Sequence, residues 1–219
     1  MELNNMNKTT PITITKEEIA EMPPASFPGR IVVVQTPAEA QKAVDYLSDF
    51  PLLGFDTETR PSFKKGQLHK VSLIQISTED TCFLFRINRT GFLDSIKELL
   101  QNENITKIGL SIQDDFKMLY RLSDFTPQNF LELQQYVKRF NIQDASLQKI
   151  YAIIFGKKIS KSQRLSNWET ETLSDAQKKY AATDAWACIG IYKALRSGRF
   201  TRQRRQQLAD SSSDKKKEI

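Results

Sequence analysis

The chain has 219 residues, of which 39% are hydrophobic and 26% charged, with a formal net charge of +6. That length and balance suit one globular domain of ordinary size with tails. A single histidine, His69, excludes any scheme that needs two, the His-rich zinc sites included. No apolar run approaches the length of a membrane span, so no membrane partner is expected.

Residues 1–27 are polar and proline-containing, and read as an N-terminal arm. Within it, Thr15-Lys-Glu-Glu18 has the spacing of a capping box and predicts a short helix to about Met22. Arg30–Gln35 is a β-branched run and reads as the first strand. Thr36-Pro37 then opens a helix whose Ala40, Ala43, Val44 and Leu47 share one face. The run Leu52–Thr59 predicts a second strand. Pro61–Lys70 is a polar loop. Val71–Ser77 and Thr81–Ile87 flank the short polar link Thr78–Asp80 and predict a hairpin, giving three strands in antiparallel succession. A helix over Leu93–Gln101 and a strand over Ile105–Leu110 follow.

Beyond that point the pattern predicts helices. Asp114 and Asp115 are expected to open one; Phe130–Arg139, which could begin extended, and Ser146–Phe155 predict two more. Residues 156–173 read as a polar loop. A final helix is expected over Asp175–Leu195, capped by Ser174. Strands first and helices after imply a mixed α/β sheet with helices packed on it. From Arg199 onward, seven basic residues against three acids place four of the six net charges in a tail. The low-complexity end, Ser211–Lys217, is expected to be disordered. That basic excess points to nucleic acid, with a solvated tail as the alternative. Cys82 and Cys188 sit in apolar stretches and read as free thiols in a reducing cytoplasm. The N-terminal residues lack the order of a signal peptide, and no obligate protein partner is inferred.

Three groups of acids stand apart from ordinary surface charge. Asp56 and Glu58 lie two residues apart on a predicted strand, so both point to one face. Paired carboxylates at the end of an apolar strand call for a counter-charge, and oxygen ligands favour magnesium or manganese. Asp114 and Asp115 follow the strand Lys107–Ile112; either alone could be a helix cap. Asp184 sits among Ala181, Ala182, Ala185, Trp186 and Ala187, small neighbours that imply close helix packing and an inward-facing acid. Tyr180 lies four residues earlier on the same helical face.

In this order the motifs Phe55-Asp-Thr-Glu-Thr59, Ile108-Gly-Leu-Ser-Ile-Gln-Asp-Asp115 and Tyr180-Ala-Ala-Thr-Asp-Ala185 resemble those of the 3′–5′ exonuclease superfamily with four essential acids and a tyrosine, often called DEDDy. Ribonuclease D, the exonuclease domain of the Werner-syndrome protein and the proofreading domain of family A DNA polymerases belong to it. Arg164-Leu-Ser-Asn-Trp168 and Leu173 are similar to the linker before the third motif in the Werner-like branch. The resemblance covers residues 28–198, the expected exonuclease domain, and leaves out the arm 1–27 and the tail 199–219.

The resemblance implies a ribonuclease-H-like (DnaQ-like exonuclease) fold and hydrolysis with two divalent cations, Mg2+ or Mn2+. Carried over by that resemblance, Asp56, Glu58 and Asp184 would bind the first metal. Asp56 would also bridge to the second, for which Asp115 is chosen over its neighbour Asp114. Tyr180 positions the attacking water; an unperturbed phenol pKa of about 10 makes it a poor base at neutral pH. Thr57 and Glu58 are the candidates to meet the terminal 3′-OH. Lys64, Lys65, Lys161 and Arg164 are candidate phosphate contacts, with solvated surface charge as the alternative. Phe116 and Leu73 are candidates to stack on terminal bases, with core packing as the alternative; Trp168 and Trp186 read as core. The implied function is removal of nucleoside 5′-monophosphates from single-stranded or 3′-recessed ends, DNA slightly favoured. The other readings are a catalytically silent nucleic-acid scaffold and a ribonuclease D-like RNA 3′-end processing enzyme.

Overall fold

The computed structural model describes residues 11–202 apart from 63, 65 and 67. Lys65 and the Ser211–Lys217 end therefore lie outside the described residues. In chain order the elements are α1 (Lys16–Ala20), β1 (Pro24–Ala25), β2 (Arg30–Val34), α2 (Pro37–Ser48), β3 (Leu52–Thr59), β4 (Val71–Ser77), β5 (Thr81–Phe85), α3 (Ile87–Thr90), α4 (Asp94–Gln101), β6 (Thr106–Gly109), α5 (Ile112–Leu119), β7 (Phe130–Glu132), α6 (Leu133–Tyr136), α7 (Leu147–Phe155), β8 (Lys158–Ile159) and α8 (Asp175–Arg196), with a 3-10 turn over Val137–Phe140.

Six strands form one mixed sheet in the order β2-β5-β4-β3-β6-β7. The pairs β3–β4 and β4–β5 are antiparallel, whereas β2–β5, β3–β6 and β6–β7 are parallel. The hairpin and the antiparallel run of three strands are as expected from the alternation and the short Thr78–Asp80 link. Helices α2, α4 and α5 pack on one face through Ala40, Leu47, Ile96, Leu99 and Phe116, against Leu53, Phe55, Ile74 and Ile76. The long helix α8 covers the other face with Ala181, Ala182, Ala187 and Ile191. Its capping box is built from Ser174 and Gln177. The Gln177 amide also donates to Ser166 Oγ at 3.1 Å and to the Asn167 carbonyl at 3.0 Å, which ties the preceding loop to the helix start.

Three segments refine their sequence expectation. Phe130–Arg139 begins extended, the alternative left open for it: its first three residues are the edge strand β7, and only then does the chain turn helical. A three-residue strand is too short to display alternation, so the sequence alone left both readings open. Within 156–173, β8 forms a short parallel pair with β1, and Trp168 is fully buried. Third, the arm from residue 11 onward is knitted to the core. Ile12 bridges Ile142, and the Ile14 amide donates to Asp144 Oδ2 at 2.9 Å. Farther along, Phe27 is fully buried, its amide donating to Thr183 Oγ1 at 3.0 Å. The capping box expected at Thr15 and Glu18 is present.

Candidate active site

The pleat of β3 sorts its side chains. Phe55 enters the core shared with α5, and Thr57 faces the same way. Gly54, Asp56 and Glu58 face α8. At Gly54 the two backbones touch: an added Cβ would lie 1.9 Å from the Ala185 carbonyl oxygen. Only glycine leaves room for that approach, and the buried Ala181, Ala182 and Ala185 keep the helix equally thin on its own side. The result is that Asp184 comes down beside the strand acids. One carboxylate oxygen from each of Asp56, Glu58 and Asp184 lies within 4.8 Å of the other two.

Glu58 and Asp184 are only 9% and 8% exposed. Loss of hydration is the largest influence on all four acids of the site and favours their neutral forms. It pushes the Asp56 carboxyl up to about 7, against a lowering hydrogen bond from the Thr57 backbone. Glu58 rises to about 10 as Asp56, Asp184 and Asp115 add their repulsion. Asp115 and Asp184 also lie well above the usual carboxylate range, by burial first and the charge of Asp56 second. Such a cluster lacks positive charge at its centre. Its donors are all hard oxygens close enough to share an ion, so the residues fit a divalent cation of the magnesium or manganese type.

Asp114 and Asp115 separate cleanly. Asp115 Oδ1 accepts from Thr57 Oγ1 at 2.5 Å. Asp114 is exposed and pairs with Lys117 at 2.8 Å, one turn along the helix surface. Neither acid caps α5, which begins at Ile112. The cap comes from Glu132 on β7, whose carboxylate accepts from the amides of Ser111 and Ile112 at 3.0 and 2.8 Å. This lets Ser111 hold a left-handed backbone, φ 63°, and sets the rotation at which Asp115 leaves the helix. Glu132 was not legible as a site residue, since its role depends on the pairing of β7 with β6, a contact between separate segments.

Tyr180 is 8% exposed and its phenol lies near enough to the Asp184 carboxylate for each to influence the other's protonation. Burial, then repulsion from Asp184, Glu58 and Asp56, keeps the hydroxyl protonated far above its ordinary range. The Trp168 ring lies 6.0 Å from the Tyr180 ring and fixes that side chain from behind. Among the candidate substrate contacts, Lys161 is exposed yet near enough to Asp184 for each to favour the other's charged form. Arg164 is exposed one turn farther along the same loop. Lys64 is exposed as well. The stacking role considered for Phe116 and Leu73 is not supported. Leu73 is fully buried, and Phe116 packs edge-on against Phe130 at 4.8 Å in the core. Trp168 is core as expected, and Trp186 is half-buried.

Comparison with known proteins gives this geometry a lineage. The family described as 3′–5′ exonuclease matches residues 31–198. The bifunctional 3′–5′ exonuclease/ATP-dependent helicase WRN of Mus musculus is 35% identical over 184 residues, covering 80% of this chain but 13% of the mouse protein. The chain thus corresponds to a small part of that relative's length. Among solved structures, the Nibbler EXO domain of Aedes aegypti superposes with a TM-score of 0.67 at 20% identity, covering 86% of this chain and 92% of that one. The Trypanosoma brucei RNase D complex with RNA U12 superposes with a TM-score of 0.69 at 20% identity, covering 77% and 63%. These likenesses establish the ribonuclease-H-like fold, with its mixed sheet and flanking helices. Because the family match runs through all three acid motifs and the tyrosine, the chain belongs to the 3′–5′ exonucleases, and its pattern is the DEDDy type.

Proposed function

We propose that the protein hydrolyses nucleic acid from the 3′ end by a two-metal reaction and releases nucleoside 5′-monophosphates, with DNA favoured over RNA. The observation that carries the mechanism is the convergence of the Asp56, Glu58 and Asp184 oxygens within 4.8 Å. In this reading those three would hold one magnesium or manganese ion, and Asp56 with Asp115 would hold the second. When bound, the two ions supply a hydroxide nucleophile at neutral pH and relieve charge on the leaving 3′ oxygen. Thr57 fixes Asp115 through its hydroxyl. Tyr180, held protonated, orients the attacking water by a hydrogen bond and takes no proton. Thr57 and Glu58 are assigned to the terminal 3′-OH, and Lys161 and Arg164 to phosphates.

Support for DNA is the likeness to the DNA polymerase I of Aquifex aeolicus, 27% identical over 157 residues. The RNA seen in the Trypanosoma brucei RNase D complex carries the second reading, an RNA 3′-end processing enzyme. The catalytic domain is proposed to span residues 28–198, flanked by the arm 1–27 and the tail 199–219. A cytoplasmic location is proposed from the two buried free thiols, Cys82 and Cys188. Among the described residues no helix is long and apolar enough to cross a membrane.

The test is a gel time course with 5′-labelled single-stranded DNA, 3′-recessed duplex and RNA, in magnesium, manganese or EDTA, beside Asp56→Asn. A metal-dependent ladder shortening from the 3′ end, absent in the variant, is the expected result, with DNA cut faster than RNA. Binding without cleavage by the unaltered protein in either metal would leave only a scaffold.

A further inference from the structure

The arm brings a lysine to a place where the exonuclease core already gathers cations. Three attachments fix its path: Ile12 beside Ile142, the Lys158 amide donating to the Pro23 carbonyl at 3.0 Å, and β1 paired with β8. Between them α1 lies across the loop that follows β8. The two surfaces enclose an open recess of about 610 Å³, lined among others by Lys16, Lys149, Lys158, Lys161, Arg164 and Leu165.

Five of these side chains are cationic, and their partners differ. Lys149 pairs with Asp144 at 2.7 Å, and the Lys158 ammonium donates to the Ala20 carbonyl. Among the described residues, Lys16, Lys161 and Arg164 have no carboxylate partner. Arg164 and Lys16 repel Lys161 and add to partial burial in lowering its pKa, against the smaller opposing pull of Asp184. At the rim Leu165 is 60% exposed, an apolar surface next to the charges. Cations without counter-ions beside an exposed apolar side chain suit a strand that offers phosphates and base or sugar faces together.

A smaller cavity of about 200 Å³ shares the lining residue Ser162 with the recess and also has Tyr180 and Thr183 in its wall. Lys161 is electrostatically linked to Asp184.

We propose that this recess is a phosphate-backbone anchor for the substrate strand, internal to the 3′-terminal nucleotide, and that Lys16 of the N-terminal arm completes it with Lys161 and Arg164. The assignment rests on the exonuclease reading of the acid site and adds the arm as a substrate-binding element. It makes activity depend on strand length, since a mononucleotide ester reaches the acids without reaching the recess.

The test uses the full chain and the variant Lys16→Glu, an exposed position on the arm, with circular dichroism to establish equal folding. Two substrates are compared: a small chromogenic diester, thymidine 5′-monophosphate p-nitrophenyl ester, and a long single strand. The expected result is a kcat/KM loss of about tenfold or more on the strand and an unchanged rate on the small ester. The salt dependence of strand binding in EDTA should flatten by about 0.7 in the log–log slope for each phosphate contact removed. Lys16→Arg should retain strand activity. If the variant keeps full activity and slope on the strand, or loses both substrates equally, the anchor is disproved. The same holds if thymidine monophosphate binds the recess as tightly as the strand. If the unaltered protein cleaves neither substrate but binds the strand with the full slope, the catalytic reading fails and the anchor stands.

Discussion

The hydroxyl of Thr57 donates to the carboxylate of Asp115 at 2.5 Å, joining residues 58 positions apart. This bond distinguishes two adjacent acids of identical type. Thr57 is the middle residue of Asp56-Thr-Glu58, and the pleat that sends its neighbours toward α8 sends Thr57 toward α5. The strand therefore supplies two metal-binding candidates on one face and, on the other, a donor that fixes a third.

Asp115→Asn should abolish detectable exonuclease activity, whereas Asp114→Asn should leave kcat/KM within a factor of about two and cost no more than ~0.5 kcal/mol through its exposed pair with Lys117. Thr57→Val keeps the β-branched shape and deletes the donor. It should weaken metal activation by about 10- to 100-fold, the usual scale for a group that orients a ligand. Titrating magnesium against initial rate measures this; an unchanged activation curve for Thr57→Val would show that the bond does not position Asp115.

Tyr180→Phe keeps the ring against Trp168 and removes the hydroxyl beside Asp184. Activity should fall by about 100-fold, the lower end of the scale for losing one preorganised hydrogen-bonding group at the reacting centre. The phenol is held protonated well above its usual range by burial, so its ionisation should leave no limb in the rate profile. Profiles of kcat against pH for the two proteins should run parallel between neutrality and pH 9. A rate that rises with pH only in the unaltered protein, as a required deprotonation gives, would make Tyr180 a base.

Gly54→Ala inserts a methyl where the Ala185 carbonyl oxygen already sits, 1.9 Å from the Cβ position. Overpacking of this kind costs about 1–3 kcal/mol. The more specific consequence is that α8 lifts and carries Asp184 and Tyr180 away from Asp56 and Glu58. Activity should then fall further than the loss of folded fraction explains, as checked by denaturant unfolding alongside rates at saturating manganese.

Lys107 is a fully buried cation on β6, its ammonium donating to the Asn102 carbonyl at 2.6 Å and lying 5.0 Å from the centre of the Phe130 ring. Burial lowers its pKa from 10.5 to about 8. Between those values the unfolded chain binds the proton and the folded one has released it, so stability rises with pH across that window. The contribution is at most about 1.4 kcal/mol per pH unit for one proton. Lys107→Met should remove this component, visible as a flatter unfolding free energy from pH 8 to 10 relative to the unaltered protein. Equal slopes would mean that Lys107 titrates normally.

The strand bearing Asp56 and Glu58, the hairpin after it, and the caps at Thr15, Thr36 and Ser174 were all readable from residue order. Each depends on neighbours within a few positions: an alternating run, a capping box, a proline at a helix start. Asp184 and Tyr180 were readable as inward-facing because a helix four-residue repeat and small alanines are local signals too. Strand β7, by contrast, has three residues, and its pairing with β6 is what makes it a strand. Glu132 acquires its work as the cap of α5 only through that pairing.

Sequence alone determined which residue types could assemble a divalent-metal nuclease site and on which elements they ride, because side-chain periodicity follows from backbone geometry over short distances. The tertiary structure decided which of Asp114 and Asp115 turns inward, that Gly54 admits α8 to the sheet, that Glu132 supports the second motif, and that the arm carries Lys16 to the cations around Lys161. Each of these is a contact between segments far apart in the chain. Such contacts are set by how helices and strands pack, which no local pattern encodes.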